Sequence, residues 1–234
     1  MHGIISLVIY FVILALSALT TKLLFTIPHE VFRKVLHLIL LGSIFVFVFC
    51  FDSWLIAAVS SELFALAVYP LLAWAEKKFK GYSSLLEQRK GGEIKASLLI
   101  VFTMFAIVIT VCWGLFGDRI MVLASVCAWG FGDAAAALIG KRFGRHRLEI
   151  SKLGVKKSWE GTLSMFTVSF ISVFIILSVR GGFSPAGIII TSAAAAAVSA
   201  FTELVTTGGN DTITCPLAAM ITLIPLTYIL GGGF

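Results

Sequence analysis

Long uninterrupted apolar runs constrain this chain more than any other feature. Charged or turn-forming residues cut the sequence into runs at residues 3–25, 35–51, 53–75, 96–116, 119–140, 161–179, 185–205 and 215–231. Each approaches the roughly 20 residues with which a helix crosses a bilayer. A transmembrane β-barrel would need strands of about ten residues alternating in polarity, and these runs do not alternate. With 59% apolar and only 13% charged side chains in 234 residues, a water-soluble domain and a disordered chain are both excluded. The sequence therefore predicts an all-α integral membrane protein, a polytopic bundle of about eight transmembrane helices with seven to nine allowed by the run ends. A single transmembrane domain over residues 1–234 is expected, its first run retained as a span, since no small-residue cleavage site follows it. The four cysteines lie in or beside apolar runs without CxxC spacing, so neither a disulfide framework nor a zinc site is suggested.

All but two of the 18 Lys and Arg residues fall in the first, third and fifth connections, from Lys22 to Lys34, Lys77 to Lys95 and Lys141 to Lys157. Because cations next to a span are kept on the cytoplasmic side, the odd connections are expected there and both termini outside. The net charge of +6 is thus gathered on one face, where it suits membrane lipid headgroups or a phosphorylated substrate. Nucleic acid is not expected as a partner, because no binding module or aromatic stacking platform accompanies the charge.

Four segments on that face carry groups that are costly in or beside a membrane. In HEVFRKVLH, Arg33, Lys34 and His37 fall near one helix face and could clamp phosphate. In WGFGDAAAALIG, Asp133 lies seven residues before Gly140, about 10 Å inside its span, among small residues that let a helix or ligand approach closely. The fifth connection, beginning at Gly140 and Lys141, leads to Lys156, Lys157, Ser158 and Glu160. There Ser158 can cap a helix whose free N–H groups, flanked by lysines, would bind a triphosphate. In ELVTTGGNDTITCP, Glu203, Asn210 and Asp211 offer oxygen to Mg²⁺, the plainer alternative being that Asp211 is only a helix cap. Cations for phosphate facing carboxylates for a metal suit phosphoryl or nucleotidyl transfer. An anion transporter would share the cationic mouths, but the internal symmetry that marks such folds is not visible.

Taken in order, RKVLH, GDAAAALIGKRFG, KKSWEG and Glu203 followed by NDTITCP resemble the polyprenol kinase family of membrane enzymes, which includes phytol kinase, dolichol kinase and CTP-dependent diacylglycerol kinases. The likeness runs from about residue 30 to residue 217. Asn210 stands where that family has an acid, and Thr212 where it has Asn. The fifth connection is also similar to phosphatidate cytidylyltransferases, although their C-terminal hallmark is missing and the chain ends in GGGF.

The resemblance implies a catalytic domain that phosphorylates a lipid alcohol such as phytol, a polyprenol, dolichol or diacylglycerol, with CTP as co-substrate and Mg²⁺ as cofactor. A cytidylyltransferase making a CDP-lipid is the alternative. Under the kinase reading, Arg33, Lys34, Lys141, Lys156, Lys157, Ser158, Glu160 and Asn210 hold the nucleotide, and Asp211, Glu203 and Asp133 hold the metal. Asp133 or His37 takes the hydroxyl proton, with Lys157 at the reacting phosphate. Glu62, deep in the third span, has no role in this scheme, and a homodimer is left open.

Overall fold

The computed structural model describes residues 2–88, 91–150, 155–207 and 209–233, the side chains of residues 149, 150, 155 and 156 excepted. Arg89, Lys90 and Lys152 of the basic connections lie outside the described residues. The helices are α1 (His2–Leu24), α2 (His29–Cys50), α3 (Trp54–Lys78), the single turn α4 (Tyr82–Leu85), α5 (Glu93–Val108), α6 (Arg119–Phe143), α7 (Trp159–Arg180), α8 (Pro185–Val205) and α9 (Asp211–Leu230). Eight are long and apolar enough to cross a membrane, α5 being prolonged by a π-helical segment, Ile109–Leu115. Every expected span is present, and the protein is an all-α membrane protein in its spanning part. The largest differences from the apolar runs lengthen the helices. Helix α2 begins six residues early, α6 runs on through Lys141 and Arg142, and α9 starts at Asp211. The i to i+4 backbone pattern, which does not depend on side-chain polarity, sets where a helix begins and ends, so hydropathy alone trims its polar turns.

The fifth connection departs from the helix-only expectation. Strands β1 (Arg147–Ile150) and β2 (Val155–Ser158) pair antiparallel, Arg147 opposite Ser158 and Ile150 opposite Val155.

The chain forms two compact units, Met1–Ile107 and Val108–Phe234. In the first, Phe102 of α5 is wholly buried, with its ring 5.2 Å from Phe64, 5.6 Å from Phe105, 5.9 Å from Phe47 and 6.2 Å from Phe11. Lipid tails are as apolar as these rings, so the packing itself, with about 0.5–1.5 kcal/mol per aromatic pair, supplies the preference for contact. Ser61 of α3 donates to the Phe102 carbonyl at 2.8 Å, which anchors α3 to the same ring cluster. Away from this core, at the other end of α1, Lys22 bonds Glu87 and the carbonyls of Ser84 and Leu85. This ties the third connection to the first, as alternating topology requires.

In the second unit α6, α7, α8 and α9 close a ring, each packed on the next and α9 on α6. Its tightest crossing is made by glycine. A Cβ on Gly161 of α7 would stand 3.1 Å from the Ala136 carbonyl and 3.4 Å from the Gly140 Cα of α6. The small residues around Asp133 thus serve the approach of a neighbouring helix, spaced every fourth residue at Gly132, Ala136 and Gly140. At the opposite end, Asp118 caps α6 by accepting from Ile120 and Met121, and pairs with Arg180 at the end of α7. The remaining Arg180 nitrogens hold the carbonyls of Gly181 and Gly233 at 3.1 and 2.9 Å.

Candidate functional site

At the end of the second unit away from Asp118 come together the end of α6, the hairpin, the start of α7, the end of α8 and the start of α9. Three of the four sequence segments therefore meet on one end of one unit, as the alternation of spans predicts.

Lys157 is the centre of this end. Its place in β2, one residue before the α7 cap, carries its ammonium to the C-terminus of α8. There it pairs with Glu203 Oε1 at 2.8 Å and donates to the carbonyls of Thr206, at 3.2 Å, and of Glu203. The last carbonyls of a helix lack intrahelical donors and carry partial negative charge, so a lysine there is doubly favoured. Both partners are largely buried, with side-chain exposures of 15% and 13%.

Around this pair are two further carboxylates. Asp133 of α6 and Asp211 of α9 both act electrostatically on Glu203, and all three act on the buried Cys215. Asp133 lies ten residues, about 15 Å, from the end of α6. Asp211 is the first residue of α9, and the cap position belongs to Asn210, whose side chain makes no capping bond. Thr206 and Thr214 join the ends of α8 and α9 through their hydroxyls at 3.1 Å. Nothing in the sequence singled out that pair beyond a spacing of eight across a glycine-rich turn.

Ser158 accepts from Gly161 N at 3.1 Å and so caps α7, the role its position before Trp159 implied. Glu160 folds back instead, accepting from Arg145 N and His146 N, both at 3.2 Å, and bonding His146 Nδ1 at 2.8 Å. It thereby fixes the start of the hairpin and through it the position of Lys157. His146 carries no sequence signal beyond its place in a basic connection. Lys141 is exposed in the last turn of α6, and Lys156 stands opposite Glu149 in the hairpin register, its side chain outside the described residues.

The fourth segment belongs to the first unit. Arg33 bonds Glu30 at 2.7 Å and faces Glu93 at 3.8 Å, Lys34 is buried, and His37 lies half-buried one turn further along α2.

Carboxylate oxygens such as those of Glu203 and Asp211, at the facing ends of α8 and α9, are of the kind that a hard divalent cation takes. Among the described residues no three His, Cys, Asp or Glu side chains converge closely enough to hold a metal unaided.

No family model matches the chain, and no solved structure matches it. Two curated proteins do. Over 96 residues, 41% of this chain and 39% of that protein, it is 41% identical to the phytol kinase of Synechocystis sp. (strain ATCC 27184 / PCC 6803 / Kazusa). Over 179 residues, 72% of this chain and 55% of that protein, it is 30% identical to a probable chloroplastic phytol kinase of Triticum aestivum. The chain thus covers 39% and 55% of the length of these two relatives.

Proposed function

We propose that this chain, a member of the polyprenol kinase family by the sequence it shares with two phytol kinases, transfers the γ-phosphoryl group of a nucleoside triphosphate to the hydroxyl of a lipid alcohol. CTP is the proposed donor and phytol the first acceptor to try. The observation that carries the reading is the Lys157–Glu203 pair at one end of the second unit, with Asp133 and Asp211 of two further helices within electrostatic reach of Glu203.

Phosphoryl transfer asks a protein chiefly to position its reactants and to neutralise oxygens as charge shifts from the β,γ-bridge. Lys157 would exchange the Glu203 and Thr206 oxygens for phosphate oxygens, moving from one set of acceptors to another without crossing bare hydrocarbon. The start of α9 would add a positively polarised helix end. Lys141 and Lys156 extend that field outward. Mg²⁺ would neutralise phosphate charge, held by Asp211 and the Glu203 oxygens that Lys157 releases, with Asp133 near. As the lipid oxygen bonds the γ-phosphorus and the bond to the bridging oxygen breaks, Asp133 would take the hydroxyl proton, leaving a nucleoside diphosphate and a lipid monophosphate. His37 would then serve with Arg33 and Lys34 in the first unit. We place the site on the cytoplasmic face, where the basic connections belong.

Purified protein given CTP labelled at the γ position, Mg²⁺ and a panel of lipid alcohols tests the reading. Label on the lipid with release of CDP is expected. Release of pyrophosphate with cytidine on the lipid would overturn it in favour of a cytidylyltransferase.

A further inference from the structure

The fifth connection, within the second unit, carries more positive charge than the proposed chemistry uses. Residues 141–160 hold seven Lys and Arg against two carboxylates, Glu149 and Glu160. Lys157 is answered by Glu203, with Asp133 and Asp211 in electrostatic reach of that pair, and Glu160 is taken up by His146 and two backbone N–H groups. Arg142, Arg145 and Arg147 are all exposed. Among the described residues the ion pairs of the second unit are His146–Glu160, Lys157–Glu203 and Arg180–Asp118, and none involves these three arginines. The Arg142 guanidinium lies instead 5.4 Å from the centroid of the Phe143 ring.

Strand register turns Arg147 away from the proposed nucleotide lysine. Arg147 stands opposite Ser158, and Leu148 opposite Lys157. Partners across a ladder share a face and neighbours along a strand alternate, so Arg147 is on the hairpin face turned from Lys157. Arg142 is in the last turn of the spanning helix α6, and Arg147 is paired with the residue that caps the spanning helix α7. Both therefore stand at the mouths of spans, at the level of lipid phosphates. Beside them Phe143 and Trp159 are 56% and 59% exposed, the indole being of the kind that settles at a membrane boundary. We propose that Arg142, Arg145 and Arg147 form a binding surface for anionic phospholipid headgroups, independent of the reaction proposed above. A guanidinium forks onto two phosphate oxygens, whereas membrane topology asks only for positive charge. Because β2 presents Lys157 on the other face, headgroups that hold the arginines also hold the hairpin that carries that ammonium.

Native mass spectrometry of the full chain in detergent, titrated with dioleoylphosphatidylglycerol or dioleoylphosphatidylcholine, tests the surface. The first phosphatidylglycerol is expected to bind at least about tenfold more tightly than the first phosphatidylcholine, and Arg142→Gln, Arg145→Gln and Arg147→Gln together should remove that preference. Arg142→Lys, Arg145→Lys and Arg147→Lys together keep the charge that orients the chain. They should still lower phosphatidylglycerol affinity about threefold, because an ammonium cannot fork. Equal affinity for the two lipids, or an unchanged preference in the folded triple Arg→Gln protein, would overturn the inference. Displacement of phosphatidylglycerol by CTP with Mg²⁺ would overturn it too, by giving the arginines to the nucleotide. Should the triple Arg→Gln protein fail to accumulate, the triple Arg→Lys protein decides, and an unchanged phosphatidylglycerol affinity there sinks the proposal.

Discussion

Asp211 and Glu87 are both carboxylates at the edge of a span, yet their surroundings set them to different work. Asp211 opens α9 near Glu203 and Asp133, an accumulation of like charge that folding alone does not favour. Asp211→Asn preserves size and removes charge. The expected result is a folded protein with at least about a hundredfold less phosphoryl transfer, about 2.7 kcal/mol of transition-state stabilisation, partly restored at high Mg²⁺. Near-normal activity would move the metal site to the other carboxylates. Glu87, by contrast, sits in the left-handed region at φ 53° and is held there by Lys22 and His29. These partners, Lys22 first, keep its carboxyl below the ordinary value of 4.5. A lowered folded-state value means that the group's stabilisation is complete above the ordinary value and drains away as pH falls through the lowered one. Glu87→Gln should therefore lower the thermal midpoint at pH 7, and the gap from wild type should narrow as pH drops below 4.5, the ordinary value. A gap that widens on acidification would show that Glu87 is not the ionised anchor of the third connection.

At the scale of the element, the spans were legible because bilayer-crossing helices advertise themselves through continuous apolarity. Their polar turns were not, since a helix carries Arg33, Lys141 or Asp211 as readily as leucine once its backbone bonds are internal. The hairpin was hidden for another reason. Its strands are four residues each, RLEI and VKKS, and their alternation is submerged in a run of cations read for charge rather than for period. Yet this hairpin is what brings Lys157 to α8. The pairing of α6 with α7 was half visible, the small residues implying a close approach without naming which partner would come. Gly161 gives that crossing a measurable weight. Gly161→Leu would press a side chain against the Ala136 carbonyl and the Gly140 Cα, at 3.1 and 3.4 Å for the Cβ alone. The expected loss is about 1–3 kcal/mol of stability, read as a lower thermal midpoint in detergent. Because Ser158 and Lys157 immediately precede this helix, activity should fall with it. Gly161→Ala should be milder on both counts.

At the scale of the whole molecule, each unit taken by itself has two chemically different ends. In the second unit Asp118, Arg180 and the carbonyl of Gly233 gather at one end, and Lys157, Glu203 and the hairpin at the other. In the first, Gly3 lies against Phe51 at one end while Lys22, Glu87 and Glu93 lie at the other. Nearly all cations belong to the odd connections, and the positive-inside preference is the basis on which we propose a cytoplasmic side for them. A reporter inserted after Lys78 or Lys152 should read cytoplasm, and one inserted at Asp52 the outside. The three positions carry separate weight. Lys78 ends α3 and tests the first unit, Lys152 tests the connection that carries the nucleotide cations, and Asp52 has no basic neighbour to hold it inside. A cell supplies nucleoside triphosphates on the cytoplasmic side, so an external Lys152 would separate Lys157 from its proposed ligand and sink the mechanism even with every distance at the site unchanged. An external Lys78 with an internal Lys152 would instead reverse the first unit alone, removing Arg33, Lys34 and His37 from any part in the chemistry.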